Sequence, residues 1–171
     1  MSTVYYLSNS NSDLSDGADF NKQLLTAAEG ESSVGASIAK STTETSYAYT
    51  NANDPNSADW PTGGITVIVY LTPSVTGDLH LDVSASRVNS SGVVQESTSN
   101  AGEQDINATQ QYTFNIPSKD WASGNAGDRL RINFIIRNSK NAVRTLTFRT
   151  GHSSDTITTA FVSTSSHTIQ K

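Results

Sequence analysis

The residues best suited to hold a cation lie near the start of the sequence. Asp13, Asp16 and Asp19 fall in one short polar segment that also contains Gly17. Carboxylate oxygens are ligands that Ca²⁺ prefers, and a glycine lets a binding loop turn sharply. The spacing differs from that of an EF-hand, whose ligands, glycine and terminal glutamate follow a fixed order. We therefore expect a solvated turn here, with a Ca²⁺ site as the alternative.

Nucleophilic and acid–base chemistry has no recognisable motif in this sequence. The absence of Cys excludes a thiol nucleophile, a disulfide framework and a Cys-ligated metal. His80, His152 and His167 are far apart, and none stands in a hydrolase or metalloprotease motif. The closest carboxylates, such as Glu103 and Asp105, are interpreted as ordinary surface groups. The sequence predicts no catalytic residue, no metal site and no cofactor, and therefore a protein that is not an enzyme.

The two tryptophans occur in similar contexts, with Trp60 and Trp121 each following an aspartate. An exposed indole can stack on the apolar face of a sugar ring, as in carbohydrate-binding sandwiches. A tryptophan at the junction of a loop and a strand more often closes the open end of a sandwich. We expect the second role, and keep glycan binding through Trp60 and Trp121 as the alternative.

Charge is divided unevenly along the chain. Residues 1–128 carry four Lys/Arg and fifteen Asp/Glu, a net −11, whereas residues 129–171 carry seven Lys/Arg and one Asp, a net +6. If the two strands predicted near the basic end pair with each other, their outer face binds an acidic partner or a second copy of the chain. The alternative is that these side chains pair with Asp and Glu inside the domain. The candidate docking residues are Arg129, Arg131, Arg137, Lys140, Arg144 and Arg149.

Periodicity predicts an all-β fold. Ser, Thr and Asn make up 36% of the chain, a composition compatible with disorder or with β-strands that have polar outer faces. Residues 79–86 alternate apolar and polar over eight positions, and residues 130–137 do so with Ile135 as the exception. Residues 65–72 form a buried, β-branched strand, and 111–116 another alternating one. The pattern predicts a single β-sandwich, jelly-roll-like, with about ten short antiparallel strands.

Domain organisation follows from the spacing of these strands. The whole chain, 1–171, is predicted to be one β-sandwich domain, with 1–20 as an extended docking arm. Residues 20–29 fit a short helix or a strand over 20–25, and we favour the strand because its neighbours are β. The start of the chain has neither a basic region nor an apolar core of a signal peptide, so we expect a soluble protein without a secretory signal. Its acidic balance disfavours nucleic-acid binding, and no apolar run is long enough for a membrane helix.

Three segments resemble small β-sandwich structural proteins of tailed bacteriophages. They begin at Trp60-Pro-Thr-Gly-Gly-Ile, at Arg87-Val-Asn-Ser-Ser-Gly and at Trp121-Ala-Ser-Gly-Asn-Ala-Gly-Asp-Arg-Leu. The opening Val4-Tyr-Tyr-Leu and the closing Ala160-Phe-Val fit the same pattern. These motifs are typical of hairpins and strand starts rather than of active sites.

The resemblance implies a virion component without enzymatic activity, and within that group a capsid decoration or cement protein. Such proteins bind the major capsid protein on the outer shell as dimers or trimers and stabilise it. The implied location is the virion surface, after assembly in the host cytoplasm, with no nucleic-acid or membrane partner. A carbohydrate-binding or receptor-binding module of a phage tail is the alternative.

Overall fold

The computed structural model describes residues 2–17, 19–57, 59–122 and 124–161. Alternating apolar residues produce twelve β-strands in this part of the chain. The strands are β1 (Thr3–Asn11), β2 (Asn21–Leu25), β3 (Ser32–Ile38), β4 (Thr43–Tyr49), β5 (Ile65–Pro73), β6 (Leu79–Val88), β7 (Val94–Ser97), β8 (Gln104–Asp105), β9 (Gln110–Ile116), β10 (Arg129–Asn138), β11 (Arg144–Thr150) and β12 (Ile157–Thr159).

The strands form one continuous hydrogen-bonded path that folds into two facing layers. The path runs β3-β11-β5-β12-β1-β2-β4-β10-β6-β7, with β9 added to β5 and β8 added to β6. Strand β1 joins the layers, because its first residues pair with β12 and the residues from Tyr6 onward pair with β2. This arrangement is a β-sandwich whose two sheets share one strand.

The core lies between the layers and is filled by the inward side chains of both. Strand β5 buries every second residue, whereas β6 buries all of residues 83–88 and β10 all of residues 129–134. Phe134 of β10 and Phe148 of β11 come from opposite layers, and their ring centroids are 5.0 Å apart. Phe20, just before β2, packs on both rings at 6.1 Å and 5.2 Å. This aromatic cluster shows that the two sheets face each other across one core.

The all-β class and the sandwich predicted from the sequence are confirmed. The segment after Phe20 is the strand β2, as favoured, and the turn before β7 contains Gly92 at a φ of 83°. Two details differ: the described residues form twelve strands where about ten were predicted, and β2 pairs with β4 in parallel. The last strand, β12, ends at Thr159, and Val162 of the closing Ala160-Phe-Val lies outside the described residues.

The extended arm predicted over residues 1–20 is wrong for the part that forms β1. Tyr5 is 1% exposed and Leu7 is 3% exposed, so both belong to the core. Residues 3–5 pair with β12 and residues from Tyr6 onward pair with β2, so the strand is part of the sandwich. Removing this segment from the domain would expose its apolar side chains and break the junction of the two sheets.

The described residues contain no helix. They therefore contain no helix that is long and apolar enough to cross a membrane.

Candidate functional site

The basic face predicted from the end of the chain does not form, because its two strands lie in different layers. Strand β10 pairs with β4 and β6, whereas β11 pairs with β3 and β5. Alternation along each strand indicated correctly which residues leave the core. It could not show which strands become neighbours, since pairing depends on contacts distant in sequence.

Two of the predicted docking arginines are covered by the segment between β1 and β2. Arg129 and Arg131 are 4% and 5% exposed, although their side chains leave the main core. Arg129 donates to both oxygens of Asp13, at 2.7 Å and 3.2 Å, and Arg131 donates to Asp16 at 3.2 Å. The Arg131 guanidinium also lies 4.0 Å from the centre of the Tyr47 ring. These arginines attach residues 12–17 to the outer face of β10 rather than facing a partner.

The remaining predicted arginines are also paired within the chain, and only Lys140 differs. The pairs are Arg137 with Glu103 at 2.6 Å, Arg144 with Asp78 at 2.8 Å and Arg149 with Asp155 at 2.6 Å. Lys140 is exposed, and in the described part of the chain its ammonium has no ion pair. The positive excess of residues 129–171 is thus largely neutralised by the acidic residues that precede it.

The three aspartates considered for Ca²⁺ are divided between different partners. Asp13 and Asp16 accept from arginines, and the hydrogen bond from Arg129 lowers the pKa of Asp13. Burial, with the nearby charge of Glu44, raises the pKa of Asp19. Within the described residues these carboxylates do not assemble into a group of metal-ligating atoms. The turn is therefore organised by guanidinium groups.

Trp60 occupies the closing position expected of it. Its side chain is 7% exposed and belongs to the core cluster, and the ring of Trp121 lies 5.2 Å away at an interplanar angle of 48°. Trp121 is partly buried, and the Lys119 ammonium lies 5.6 Å from the centre of its ring. Trp60 does not present an open face on which a sugar ring could stack.

A buried charge network that the sequence did not indicate lies beside the tryptophans. Arg87 donates to Asp128 at 2.6 Å and to Glu96 at 2.9 Å. Both oxygens of Glu96 also accept from the backbone N–H of Ala122. Burial acts to raise the pKa of Glu96, but the bonds from Ala122 and Arg87 prevail and lower it. The network holds the loop that covers Trp60 in place.

A second polar cluster lies where β6, β8 and the β10–β11 turn meet. Nδ1 of His80 lies 2.5 Å from Oδ1 of Asp105, and its Nε2 lies 3.2 Å from Oγ of Ser139. One carboxylate oxygen of Glu103 completes a group of ligand atoms within 4.8 Å of one another. Hydrogen bonds from Arg137 lower the pKa of Glu103 and keep that carboxylate ionised. Sequence reasoning missed this cluster because His80 and Asp105 are separated by 25 residues.

The order Ser139–His80–Asp105 is that of a hydrolase triad, but the serine is engaged elsewhere. Its backbone N–H and its hydroxyl both donate to the carbonyl oxygen of Asp78, at 3.1 Å and 3.2 Å. Acyl transfer needs a hydroxyl aimed at a substrate carbonyl and N–H donors aimed at the developing oxyanion. The hydroxyl and the backbone N–H of Ser139 are thus both bonded to Asp78, and neither is directed at a substrate.

Three turns, each of which joins strands of opposite layers, meet at the same end of the sandwich as this cluster, and we call this end the turn end (residues 39–42, 74–78 and 139–143). The Ser41 N–H donates to the Lys140 carbonyl at 2.9 Å, and the Ser74 N–H donates to Thr145 at 2.9 Å. Val75 and Val143 are 42% and 61% exposed here. With Lys40 and Lys140, also exposed, they form a surface that is both apolar and positively charged.

No protein-family model matches the chain, and no curated protein matches it. Among solved structures, the chain is similar to a CocE/NonD family hydrolase from Staphylococcus aureus, with a TM-score of 0.51 and 9% identity over 95% of this chain. A second structure of that hydrolase gives a TM-score of 0.48, with 9% identity over 93% of this chain. The chain spans 37% and 36% of the two hydrolase chains. A chain from the structure of infectious bursal disease virus Gx strain gives a TM-score of 0.32, with 10% identity over 84% of this chain and 41% of that one. At such identities the similarity concerns the fold alone.

Proposed function

We propose that this protein is a non-enzymatic structural component of a virion, a decoration protein that binds the outer shell of a phage capsid and stabilises it. The observation that carries the proposal is the turn end, which contains exposed Val75 and Val143 together with exposed Lys40 and Lys140. Such a protein acts through the interface that it buries rather than through a reaction.

The ion pairs elsewhere on the surface narrow the choice of docking residues. A guanidinium that already holds an internal carboxylate must lose that bond before it can bind a partner, whereas a free ammonium need not. Arg144 is held by Asp78 and Arg149 by Asp155, while Lys140 has no ion pair in the described residues. Lys140 therefore remains, of the six residues predicted from the sequence, the one best placed to dock.

The partner that fits this surface is an acidic, partly apolar patch on the major capsid protein. Exposed valines contribute by being removed from water, at about 25 cal/mol per Å² of buried apolar area. The lysines increase the rate of encounter with an acidic surface and select its orientation. Assembly as a symmetric dimer or trimer would present several turn ends at once and so increase the overall affinity for the shell.

The experiment is co-sedimentation of the purified protein with undecorated capsids, followed by counting of bound copies by electron microscopy. Saturable binding at symmetric shell positions is expected. Val143→Asp places a charge in the proposed interface and should weaken binding about tenfold or more. Lys140→Glu should weaken it as well, and the effect should diminish at high salt.

The matched control is Val93→Asp, at a valine that is 57% exposed at the other end of β6. It introduces the same charge outside the turn end and should leave capsid binding unchanged. Absence of saturable binding to capsids would refute the proposed function. Equal effects of Val93→Asp and Val143→Asp would refute the choice of surface. A native mass measurement of the isolated protein reports the oligomer.

A further inference from the structure

The short contact between His80 and Asp105 needs a proton or a metal ion between the two side chains. The single hydrogen of the Ser139 hydroxyl points to the Asp78 carbonyl oxygen, 3.2 Å away. With that hydrogen so placed, the Ser139 oxygen accepts from Nε2–H of His80, at 3.2 Å, in the tautomer whose Nδ1 carries no proton. In that tautomer Nδ1 faces a carboxylate oxygen of Asp105 at 2.5 Å with no hydrogen between them, and a metal ion or a second proton removes the repulsion of their lone pairs.

A third ligand atom lies at the same place and is open to solvent. One ring nitrogen of His80 and one oxygen each of Glu103 and Asp105 are all within 4.8 Å of one another. The side chain of His80 is 12% exposed and is held between its neighbours, whereas the Asp105 side chain is 63% exposed. An ion can thus enter from solvent and find one ligand already fixed in place.

We propose that His80, Glu103 and Asp105 bind a divalent cation of the Zn²⁺ type, although the sequence predicted no metal site. An imidazole nitrogen favours Zn²⁺ over harder ions, and carboxylate oxygens complete many zinc sites. Zn–N and Zn–O distances near ~2.1 Å place tetrahedral ligands about 3.4 Å apart. Reaching that geometry requires the contact of 2.5 Å to open by about 0.9 Å and the widest separation, which is at most 4.8 Å, to close by up to about 1.4 Å. Water takes the fourth position.

Ser139 has the role of a positioning residue for this site. In zinc sites the second ring nitrogen of a ligating histidine usually donates to a neighbouring oxygen, which fixes the tautomer and the plane of the ring. In this tautomer Ser139 accepts that bond from His80 and donates its own hydrogen bond to the carbonyl oxygen of Asp78. Replacing it should weaken metal binding without removing a ligand.

Arg137 competes with the metal for Glu103. Its guanidinium donates to both oxygens of Glu103, at 3.1 Å and 2.6 Å. The Arg137 side chain is 42% exposed, so it can turn into solvent when an ion takes its place. Removing this competitor should therefore strengthen metal binding, which a purely structural role of the cluster does not predict.

A bound ion would connect two parts of the fold, because His80 lies on β6 while Glu103 and Asp105 lie next to and within β8. Ser139, in the turn that follows β10, would act on the ion only through His80. Strand β8 has only two residues and pairs with β6 through them. The ion would therefore tie the segment around β8 to the sandwich and raise the thermal stability of the protein.

The test is titration of the full chain, freed of metal by a chelator, with ZnCl₂ in a calorimeter, supported by the absorption spectrum of the Co²⁺ form. One ion per chain is expected. Asp105→Asn and His80→Ala should each weaken binding more than about tenfold, and Ser139→Ala by about tenfold. Arg137→Gln should tighten it. His152→Ala is the matched control, since His152 contacts Ser154 and should leave binding unchanged.

Three results would overturn the proposal: no saturable binding, an unchanged affinity in Asp105→Asn, or a loss of binding in His152→Ala. Circular dichroism of each metal-free variant shows whether it is folded. If His80→Ala does not fold, Asp105→Asn decides, because its side chain is exposed and nearly the same size. Capsid binding is measured with and without chelator, so that a failure of metal binding and a failure of capsid binding are observed separately.

Discussion

The buried contact between Arg87 and Asp128 supports a quantitative prediction for Asp128→Ala. Asp128 is 2% exposed, and its Oδ2 accepts from Arg87 at 2.6 Å and from the Asn125 N–H at 2.9 Å. The substitution removes both bonds and leaves the guanidinium of Arg87 buried with one anion fewer. Arg87 is itself only 6% exposed, so water cannot replace the carboxylate freely.

The magnitude follows from what remains after the substitution. Removing one partner of a buried pair typically costs about 3–5 kcal/mol, because the other charge stays buried. Here Glu96 still accepts from Arg87 at 2.9 Å, which offsets part of that cost. We expect a loss of about 3 kcal/mol in the free energy of unfolding. For a chain of this size that corresponds to a decrease of ~6–12 °C in Tm.

The assay is equilibrium unfolding in urea, followed by the fluorescence of Trp60 and Trp121 in metal-free buffer. The matched control is Glu103→Ala, which also removes a carboxylate that accepts two hydrogen bonds, in this case both from Arg137. That pair is exposed, with side-chain exposures of 42% and 40%, so its loss should cost less than about 1 kcal/mol.

A double-mutant cycle isolates the pair itself. Combining Arg87→Ala with Asp128→Ala should cost less than the sum of the single changes, with a coupling free energy of about 1–3 kcal/mol. If Asp128→Ala costs no more than Glu103→Ala, burial does not govern the strength of these pairs, and our reasoning about them is wrong.

Three further predictions concern the core, the arginine-bound turn and one tight backbone contact. Phe148→Ala should cost about 3–5 kcal/mol in urea unfolding, since the side chain is fully buried between the sheets; a cost below about 1 kcal/mol would contradict that packing. Arg129 lowers the pKa of Asp13, so the stability from this pair is present above the unfolded pKa of about 3.9 and is lost as pH falls through the folded value. Asp13→Asn should therefore destabilise slightly near neutral pH, because the carboxylate is 69% exposed, and not in strong acid; equal unfolding free energies of variant and parent at both pH values would argue against it. Gly151→Ala should lower Tm strongly, because Gly151 has a φ of 68° and its new Cβ would lie 2.1 Å from the Gly30 carbonyl oxygen; an unchanged Tm would show that this approach relaxes.

The strands with clear alternation were predictable because their signal is local. In β5 and the first part of β6, every second side chain is apolar and buried, so the sequence shows both the strand and its inward face. The short strand β8 carries no such signal, because two residues cannot display a period. Its existence depends on β6 providing the partner.

The arginines show where local reasoning ends. Alternation correctly placed Arg131 on the face away from the core, yet that face is covered by residues 12–17, and the residue is 5% exposed. Asp13 and Arg129 are 116 residues apart in sequence, and Asp78 and Arg144 are 66 apart. No spacing rule connects such residues, so a positive segment of sequence did not become a positive surface.

By itself the sequence determined that the chain is all-β, which side chains enter the core and that its polar residues occupy outer faces and turns. These properties follow from a two-residue period and from side-chain polarity, which act within each strand. Only the tertiary structure decided which strands are neighbours, that β1 joins both sheets and that His80 meets Glu103 and Asp105. Those outcomes depend on the closure of long loops and on packing between distant segments, and neither is encoded at any single position.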